Sequence, residues 1–168
     1  MSNTDKYHLS KLMEKEEKYE LLCQQITSLV SGEHQAVSVM ANVSAALKET
    51  FPERFFWVGF YCVNEGELQL GPFQGSVACM HIQKGKGVCG TAWEQKQTII
   101  VPDVEQFPGH IACSSLSRSE IVVPVISTAG NVMAVLDIDS KELATFDDTD
   151  KLYLEHICQL LSPLLEQL

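Results

Sequence analysis

The chain has 168 residues, 45% of them hydrophobic and 20% charged, which is typical of a globular protein large enough to bury a core without disulfide staples. Its 12 basic and 22 acidic residues give a net charge of -10, which opposes binding to nucleic acid or to an anionic membrane surface. The sequence contains neither a signal peptide nor an apolar run as long as a membrane span, so we expect a cytoplasmic protein in a reducing compartment.

Hydrophobic spacing and turn residues predict helices at both ends of the chain and hairpin-linked strands between them. The helices are predicted over 6–30, 34–50 and 147–168. The strands are predicted over 55–63, 67–73, 78–82, 98–101, 120–127 and 132–139, with one or two helical turns at 91–96. The apolar stripe of the first helix comprises Leu9, Leu12, Met13, Tyr19, Leu22, Cys23 and Ile26. This order predicts an α+β fold, an antiparallel sheet with helices packed on one side, in a single domain over 1–168.

Two local signals add detail to these elements. Asp147 is expected to cap the last helix. The segment 103–119 is long and irregular, and such loops in compact domains are more often functional than idle.

Six cysteines divide into a packed group and a group in irregular segments. The packed group, on apolar helix stripes and on the apolar face of the first strand, is Cys23, Cys62 and Cys158. The second group is Cys79, Cys89 and Cys113. Thiols in a reducing compartment stay reduced unless they carry redox or metal chemistry. The second group therefore indicates thiol–disulfide exchange, in which one cysteine attacks and another resolves.

The neighbours of two of these cysteines suggest how they are used. Cys89 follows a glycine-rich stretch at the start of a possible helical turn, where backbone N–H groups favour a thiolate. Cys113 is followed by Ser114 and Ser115, whose hydroxyls and amides are suited to hold an anion.

Strand alternation places further residues together. In the first strand, Trp57 and Tyr61 share a face with Gly59 between them, which predicts a hollow bordered by two aromatic rings. This pattern is equally typical of an aromatic patch packed against a loop.

Three carboxyl groups are predicted to cluster on the last hairpin. If 128–131 form the turn, Ser127 pairs with Val132, and the register continues to Glu120 opposite Asp139, with Asp137 on the same face. Such crowding is costly unless a cation arrives or one carboxyl keeps its proton. A metal and a substrate ammonium are both candidate cations, and a solvated acidic surface is the alternative.

Two other motif interpretations are weaker. Cys79-x-His81 and His110-x-x-Cys113 form a possible zinc site, but neither spacing is a strong zinc signature. The segment 85–90 matches G-x-G-x-x-G, but a short preceding strand and a brief following helix argue against a dinucleotide-binding unit.

These residues stand in motifs that resemble the free methionine-(R)-sulfoxide reductases, a family built on a GAF domain. The similar segments, in chain order, are FFWVGFY, ACMHI, GKGVCGTAW, VPDV, FPGHIACSS, SRSEIVVPV, VLDIDS and FDDTD. They cover most of the chain. The sequence departs from the family in MHIQKGKG, where a stretch with arginine and proline is expected, and at Ala134, where glycine is common. The resemblance implies a GAF-like, six-stranded antiparallel sheet flanked by helices at both chain ends, and a homodimer.

The resemblance also implies roles for individual residues. Cys113 corresponds to the cysteine that attacks the substrate sulfur, Cys79 to the main resolving cysteine, and Cys89 to an auxiliary one. The matched pocket residues are Trp57, Tyr61, Glu120, Asp137 and Asp139. Neither a cofactor nor a resident metal is expected.

The reaction that follows is reduction of free methionine-(R)-sulfoxide. Thiolate Cys113 attacks the sulfoxide sulfur while Glu120 or Asp139 donates a proton to its oxygen. Cys79 or Cys89 condenses with the resulting sulfenic acid, and thioredoxin reduces the disulfide.

The same residues predict how the substrate is bound, and the fold allows one alternative function. The remaining carboxylate charge should hold the substrate ammonium, and amides near Ser114 and Ser115 its carboxylate. The alternative is a non-catalytic GAF module that senses a small ligand. The three loop cysteines favour the enzyme, because a sensor has no need of them.

Overall fold

The computed structural model describes residues 2–168, without the side chains of 6–13, and this part of the chain holds four α-helices, six strands and one 3₁₀ turn. The helices are α1 (Asn3–Val30), α2 (Ala36–Thr50), α3 (Gly87–Gln95) and α4 (Asp148–Leu165). The strands are β1 (Trp57–Asn64), β2 (Glu67–Gln74), β3 (His81–Ile82), β4 (Ile99–Val101), β5 (Ser119–Ile126) and β6 (Val132–Ser140). The 3₁₀ turn is Val104–Gln106. None of the described helices is long and apolar enough to span a membrane.

The six strands form one sheet in the order β3-β2-β1-β6-β5-β4, with antiparallel pairing at each neighbour. The α+β class and the six-stranded antiparallel sheet predicted from the sequence are therefore confirmed. The sheet is built from hairpins β1–β2 and β5–β6, joined where β1 pairs with β6. That central pairing brings residues far apart in sequence side by side.

The two faces of the sheet carry different layers. On one face, α1, α2 and α4 pack over the main core, which includes Val58, Phe60, Leu136 and Ile138. On the other face, α3 and the loops cover a second cluster that includes Trp57. The expectation that helices lie on one side is wrong for α3, because the segment after Gly87 forms a full helix rather than one or two turns.

The first helix is longer than its predicted span but buries the expected stripe where the side chains are described. Tyr19, Leu22 and Ile26 are buried, whereas the side chains of Leu9, Leu12 and Met13 lie outside the described part of the structure. Cys158 is buried in the same core, and Cys23 and Cys62 are partly buried against it.

Asp147 caps α4 as predicted, and the cap belongs to a buried ion cluster. The Asp147 side chain accepts hydrogen bonds from the amides of Thr149 and Asp150, while Asp150 reaches back to the Asp147 amide. Asp150 is fully buried and accepts from Lys15 Nζ at 2.7 Å and from Arg54 Nη2 at 3.0 Å. This cluster joins α1, α4 and the segment after α2.

The β5–β6 register is the feature that positions the acidic residues. Glu120 pairs with Asp139 as predicted, and Val122 pairs with Asp137. The predicted pairing of Ser127 with Val132 is wrong, because a bulge between Val125 and Ile126 shifts the register by one residue near the turn. The bulge lies at the turn end and leaves the register at the acidic end unchanged.

Candidate active site

A narrow pocket lies over the second face of the sheet, between α3 and the loops that carry Cys79 and Cys113. Its cavity volume is about 50 Å³. The residues that line it include Trp57, Tyr61, Lys86, Cys89, His110, Cys113, Ser114, Ser117, Glu120, Asp137 and Asp139. The pocket thus combines aromatic rings, three carboxyl groups and two sulfurs within one small volume.

Two of the three loop cysteines are covalently joined at the pocket edge. Cys79 and Cys113 form a disulfide across 34 residues of sequence, with Cα atoms 5.6 Å apart. Cys79 lies between β2 and β3, and Cys113 follows the 3₁₀ turn. Both are partly exposed. These sulfurs are therefore in reach of each other, of the pocket and of solvent.

The disulfide also bears on the zinc interpretation. In this structure neither Cys79 nor Cys113 offers a thiolate to a metal. His81 is exposed and lies 2.6 Å from Glu67, away from the proposed partners. The Cys79-x-His81 and His110-x-x-Cys113 spacing therefore builds no shared metal site here.

The three carboxyl groups cluster in the pocket, where Glu120 and Asp137 are buried and Asp139 is half-buried. Glu120 and Asp137 are 5% and 6% exposed, and Ser117 donates its hydroxyl to Asp139 Oδ1 at 2.6 Å. Burial, followed by repulsion from Asp139, raises the pKa of Glu120 to about 8. Burial and the neighbouring acids also raise the pKa of Asp137 and of Asp139 well above the ordinary aspartate value. The pocket is therefore able to hold a protonated carboxyl near neutral pH.

Cys89 lies beside these acids, in the first turn of α3. The expectation that it favours a thiolate is wrong, because burial and then the charges of Asp137 and Glu120 raise the pKa of its thiol well above the ordinary value. The helix N-terminus acts in the opposite direction, but it does not offset removal from water next to three acids. Cys89 is a protonated, buried thiol rather than a loop nucleophile.

Trp57 and Tyr61 form the floor of the pocket. Their rings lie 5.9 Å apart between centroids and are stacked. The hollow predicted above Gly59 is not found, because a Cβ atom at that position would lie 2.3 Å from Phe73 Cβ and 2.7 Å from the Trp57 ring. Glycine is needed here for close packing of β1 against β2.

The two aromatic residues also position the loop that carries the first sulfur. Trp57 Nε1 donates to the Ser76 carbonyl and Tyr61 Oη donates to the Cys79 carbonyl, both at 3.0 Å. The strand beneath the pocket therefore holds Cys79 in place through its backbone.

Ser114 and Ser115 point to different places. Ser114 lines the pocket, whereas Ser115 is exposed and lines a neighbouring groove with Asp103 and Arg118. The separation follows from a tight turn, in which the Leu116 amide donates to Ser114 Oγ at 3.2 Å. The expected anion cradle is thus reduced to Ser114 and its surroundings.

Three pocket residues were not assigned to the pocket from the sequence. Lys86 precedes α3 and adds a cation to the lining, and Ser117 hydrogen-bonds Asp139. His110 Nε2 lies 3.6 Å from Glu120 Oε2, and burial lowers its pKa. The only sequence signal for His110 and Ser117 was their position in the long loop after β4. The sequence does not show which side chains of such a loop point into the pocket.

The fold and this recess over the sheet define a GAF-domain protein, and the family model described as GAF domain matches residues 34–166. GAF domain-containing protein A of Dictyostelium discoideum is 60% identical over 148 residues, covering 88% of this chain and 92% of the relative. The free methionine-R-sulfoxide reductase of Saccharomyces cerevisiae is 42% identical over 166 residues, covering 95% and 92%.

A solved structure extends the comparison to three dimensions. The X-ray structure of free methionine-R-sulfoxide reductase from Neisseria meningitidis in complex with its substrate has a TM-score of 0.87 and 50% identity, over 91% of each chain. The present chain belongs to the free methionine-R-sulfoxide reductases, a family of oxidoreductases, as the sequence motifs indicate.

Proposed function

We propose that this protein reduces free methionine-(R)-sulfoxide to methionine with Cys113 as the attacking thiol and Cys79 as the resolving thiol. The observation that carries the proposal is the Cys79–Cys113 bond at the edge of a pocket lined by three carboxyl groups, two of them buried. The relatives named for this activity support the choice of substrate.

The first step combines a nucleophile with an acid. The Cys113 thiolate attacks the sulfoxide sulfur while Glu120 donates its proton to the sulfoxide oxygen. The S–O bond then breaks, methionine leaves, and Cys113 carries the oxygen as a sulfenic acid. Glu120 suits the role because its pKa of about 8 keeps it protonated near neutral pH. Asp139 is the alternative donor.

The second step regenerates the enzyme. The Cys79 thiol attacks the sulfenic sulfur of Cys113, so that a disulfide forms and water is released. A dithiol reductant, for which we propose thioredoxin, reduces that bond in a reducing compartment such as the cytoplasm. Cys89 serves as an auxiliary thiol that reacts only after its buried surroundings open, since its pKa is raised.

Recognition of the free amino acid uses the charges of the pocket. Asp137 and Asp139 hold the substrate ammonium, and Ser114 with the Lys86 ammonium holds its carboxylate. Trp57 and Tyr61 pack against its side chain. A peptide-bound residue lacks both charged ends. The cavity of about 50 Å³ is smaller than free methionine sulfoxide itself. The pocket in its disulfide form must therefore open before substrate enters.

Single-turnover chemistry tests the assignment. Cys113→Ser should abolish methionine release from free methionine-(R)-sulfoxide. Cys79→Ser should release about one methionine per chain and then stall, because the sulfenic acid lacks its resolving partner. Cys23→Ser, which removes a thiol outside the pocket, is the control and should turn over like the wild type.

Three results would contradict the proposal. Sustained turnover of Cys79→Ser with thioredoxin would transfer the resolving role to Cys89. Equal reduction of the (R) isomer, the (S) isomer and a methionine sulfoxide inside a peptide would show that the pocket does not select its substrate. Reductase activity that survives in Cys113→Ser would end the thiol mechanism.

Two properties of the whole chain belong to the same proposal. We propose that residues 1–168 act as a single GAF domain and that two copies form a homodimer. Sedimentation velocity of the full chain would measure the second property directly, and a single monomeric species at micromolar concentration would contradict it.

A further inference from the structure

Three side chains in the pocket bring possible metal-ligand atoms close together, which indicates a second use of the pocket. One ligating atom from each of Cys89, Glu120 and Asp137 lies within 4.8 Å of the other two. Their side chains come from α3, β5 and β6, so the sheet register and the docking of α3 assemble the group. All three are more than nine-tenths buried.

An unpartnered atom indicates that this group suits a cation. Asp137 Oδ1 is buried and has no hydrogen-bond partner, although it belongs to a side chain that lines the pocket. A buried carboxylate oxygen without a donor is costly, and the cost is relieved when a positive ion arrives. Glu120 and Asp139 line the pocket around the same point.

The donor types narrow the choice of cation. A thiolate and carboxylates together suit Zn²⁺, which binds sulfur at about 2.3 Å and oxygen at about 2.0–2.2 Å in tetrahedral sites. Those bonds place ligand atoms about 3.3–3.8 Å apart, so the present group closes around Zn²⁺ by small side-chain rotations.

We propose that Cys89, Glu120 and Asp137 form a zinc-binding site with three protein ligands inside the pocket. Binding converts the Cys89 thiol to a thiolate and releases its proton to solvent. This site differs from the zinc spacing weighed in the sequence, since it uses neither Cys79 nor Cys113. If the proposed function is right, Zn²⁺ and the substrate ammonium compete for the same carboxyl groups, and zinc is an inhibitor of the reductase.

Metal titration of the oxidised protein tests the site without an activity assay. In that form the disulfide withholds Cys79 and Cys113, so Cys89 is the remaining thiol among the described pocket residues. Calorimetry with ZnCl₂ should give one bound ion per chain. Co²⁺ in place of Zn²⁺ should give a thiolate-to-metal charge-transfer band in the near ultraviolet.

Variants assign the ligands. Cys89→Ser should remove the charge-transfer band and weaken Zn²⁺ binding at least about tenfold, because it deletes a direct ligand. Asp137→Asn should weaken binding to a similar extent but keep the band. Cys23→Ser, which removes a free thiol on α1, should leave both readouts unchanged. Near-ultraviolet circular dichroism checks that each variant is folded.

Three outcomes would overturn the inference. Oxidised wild-type protein without a thiolate–Co²⁺ band would exclude Cys89 as a ligand, even if Cys89→Ser fails to fold. Equal Zn²⁺ affinity in Cys89→Ser and wild type would do the same. Equal affinity in Asp137→Asn would exclude the carboxylate. Loss of reductase activity in the earlier assays would not alter these titrations, and an absence of zinc binding would leave the reductase assays unaffected.

Discussion

Buried carboxyl groups behave differently from the surface acids that give this chain its net charge. Glu120 and Asp139 face each other across two strands, and Asp137 lies on the same face one pair further along. Burial and mutual repulsion raise their pKa values, so the pocket stores protons that surface acids release. Protonated carboxyl groups can then persist near neutral pH in one small volume.

The raised pKa of Glu120 predicts a pH dependence of stability. Between its ordinary value of 4.5 and its folded value of about 8, the unfolded chain releases a proton that the folded chain keeps. The free energy of unfolding should therefore fall as pH rises across this window. Glu120→Gln should flatten the fall, as measured by urea denaturation at pH 5 and pH 8. Exposed Glu105→Gln is the control, and a slope unchanged by Glu120→Gln would refute the burial argument.

Asp137 offers a test of binding without loss of fold. Asp137→Ala should raise KM for free methionine-(R)-sulfoxide about tenfold to a hundredfold, since a hydrogen bond to a charged group contributes about 1.5–3 kcal/mol. The thermal midpoint should stay at or above that of wild type, because the change removes a buried unpartnered oxygen. Exposed Glu142→Ala should leave KM unchanged. A lowered midpoint with normal KM would show that Asp137 is structural.

At the scale of elements, α4 is attached to the rest of the fold by charge as well as by its apolar face. Asp150 closes the capping box of α4 and also accepts from Lys15, Tyr19 and Arg54. One buried carboxylate therefore accepts a hydrogen bond from the N-cap amide of α4 and pairs with two cations that come from other elements. The pocket lies on the opposite face of the sheet, so this cluster acts on stability alone.

Removing the Asp150 carboxylate should destabilise the fold. Asp150→Ala should lower the free energy of unfolding by about 3 kcal/mol, because deleting one partner of a buried ion pair leaves the others without compensation. Asp148→Ala, an exposed acid in the same helical turn, should change it by less than about 0.5 kcal/mol. Urea denaturation with tyrosine and tryptophan fluorescence measures the free energy of unfolding of both variants. Equal losses in the two variants would show that the buried ion pairs of Asp150 do not stabilise the fold.

At the scale of the whole molecule, the disulfide couples two loops that no strand connects directly. Cys79 belongs to the edge formed by β2 and β3, and Cys113 to the loop that leads into β5. Forming the bond closes 34 residues into a ring at the edge of the pocket, which Cys113 lines. The oxidised and reduced forms should therefore differ in stability as well as in access to the site.

Reduction should make the fold less stable. Closing a loop of 34 residues lowers the conformational entropy of the unfolded chain. This stabilises the folded state by about 3–4 kcal/mol at 25 °C. Denaturation of oxidised and reduced protein should differ by up to that amount. Cys79→Ser should show no dependence on reductant, and Cys23→Ser should keep it. A reduced form as stable as the oxidised one would mean that the bond is strained enough to cancel its entropic gain.

The sequence by itself determined the local elements and one part of the site. Alternation in β5 and β6, together with a four-residue turn, predicted that Glu120 faces Asp139, because antiparallel pairing across a hairpin follows from short-range contacts. The cap at Asp147 and the packed state of Cys158 also follow from neighbours within a few residues.

Only the tertiary structure decided how distant segments meet. Which sulfur reaches Cys113 depends on two loops 34 residues apart, and the burial of Cys89 depends on α3 docking over β5 and β6. Sequence spacing predicted a thiolate at Cys89, but its pKa is governed by desolvation and by acids on other strands. A local sequence pattern predicts the secondary structure of its own segment. The pKa values in a pocket depend instead on all the groups that the fold brings within a few ångströms.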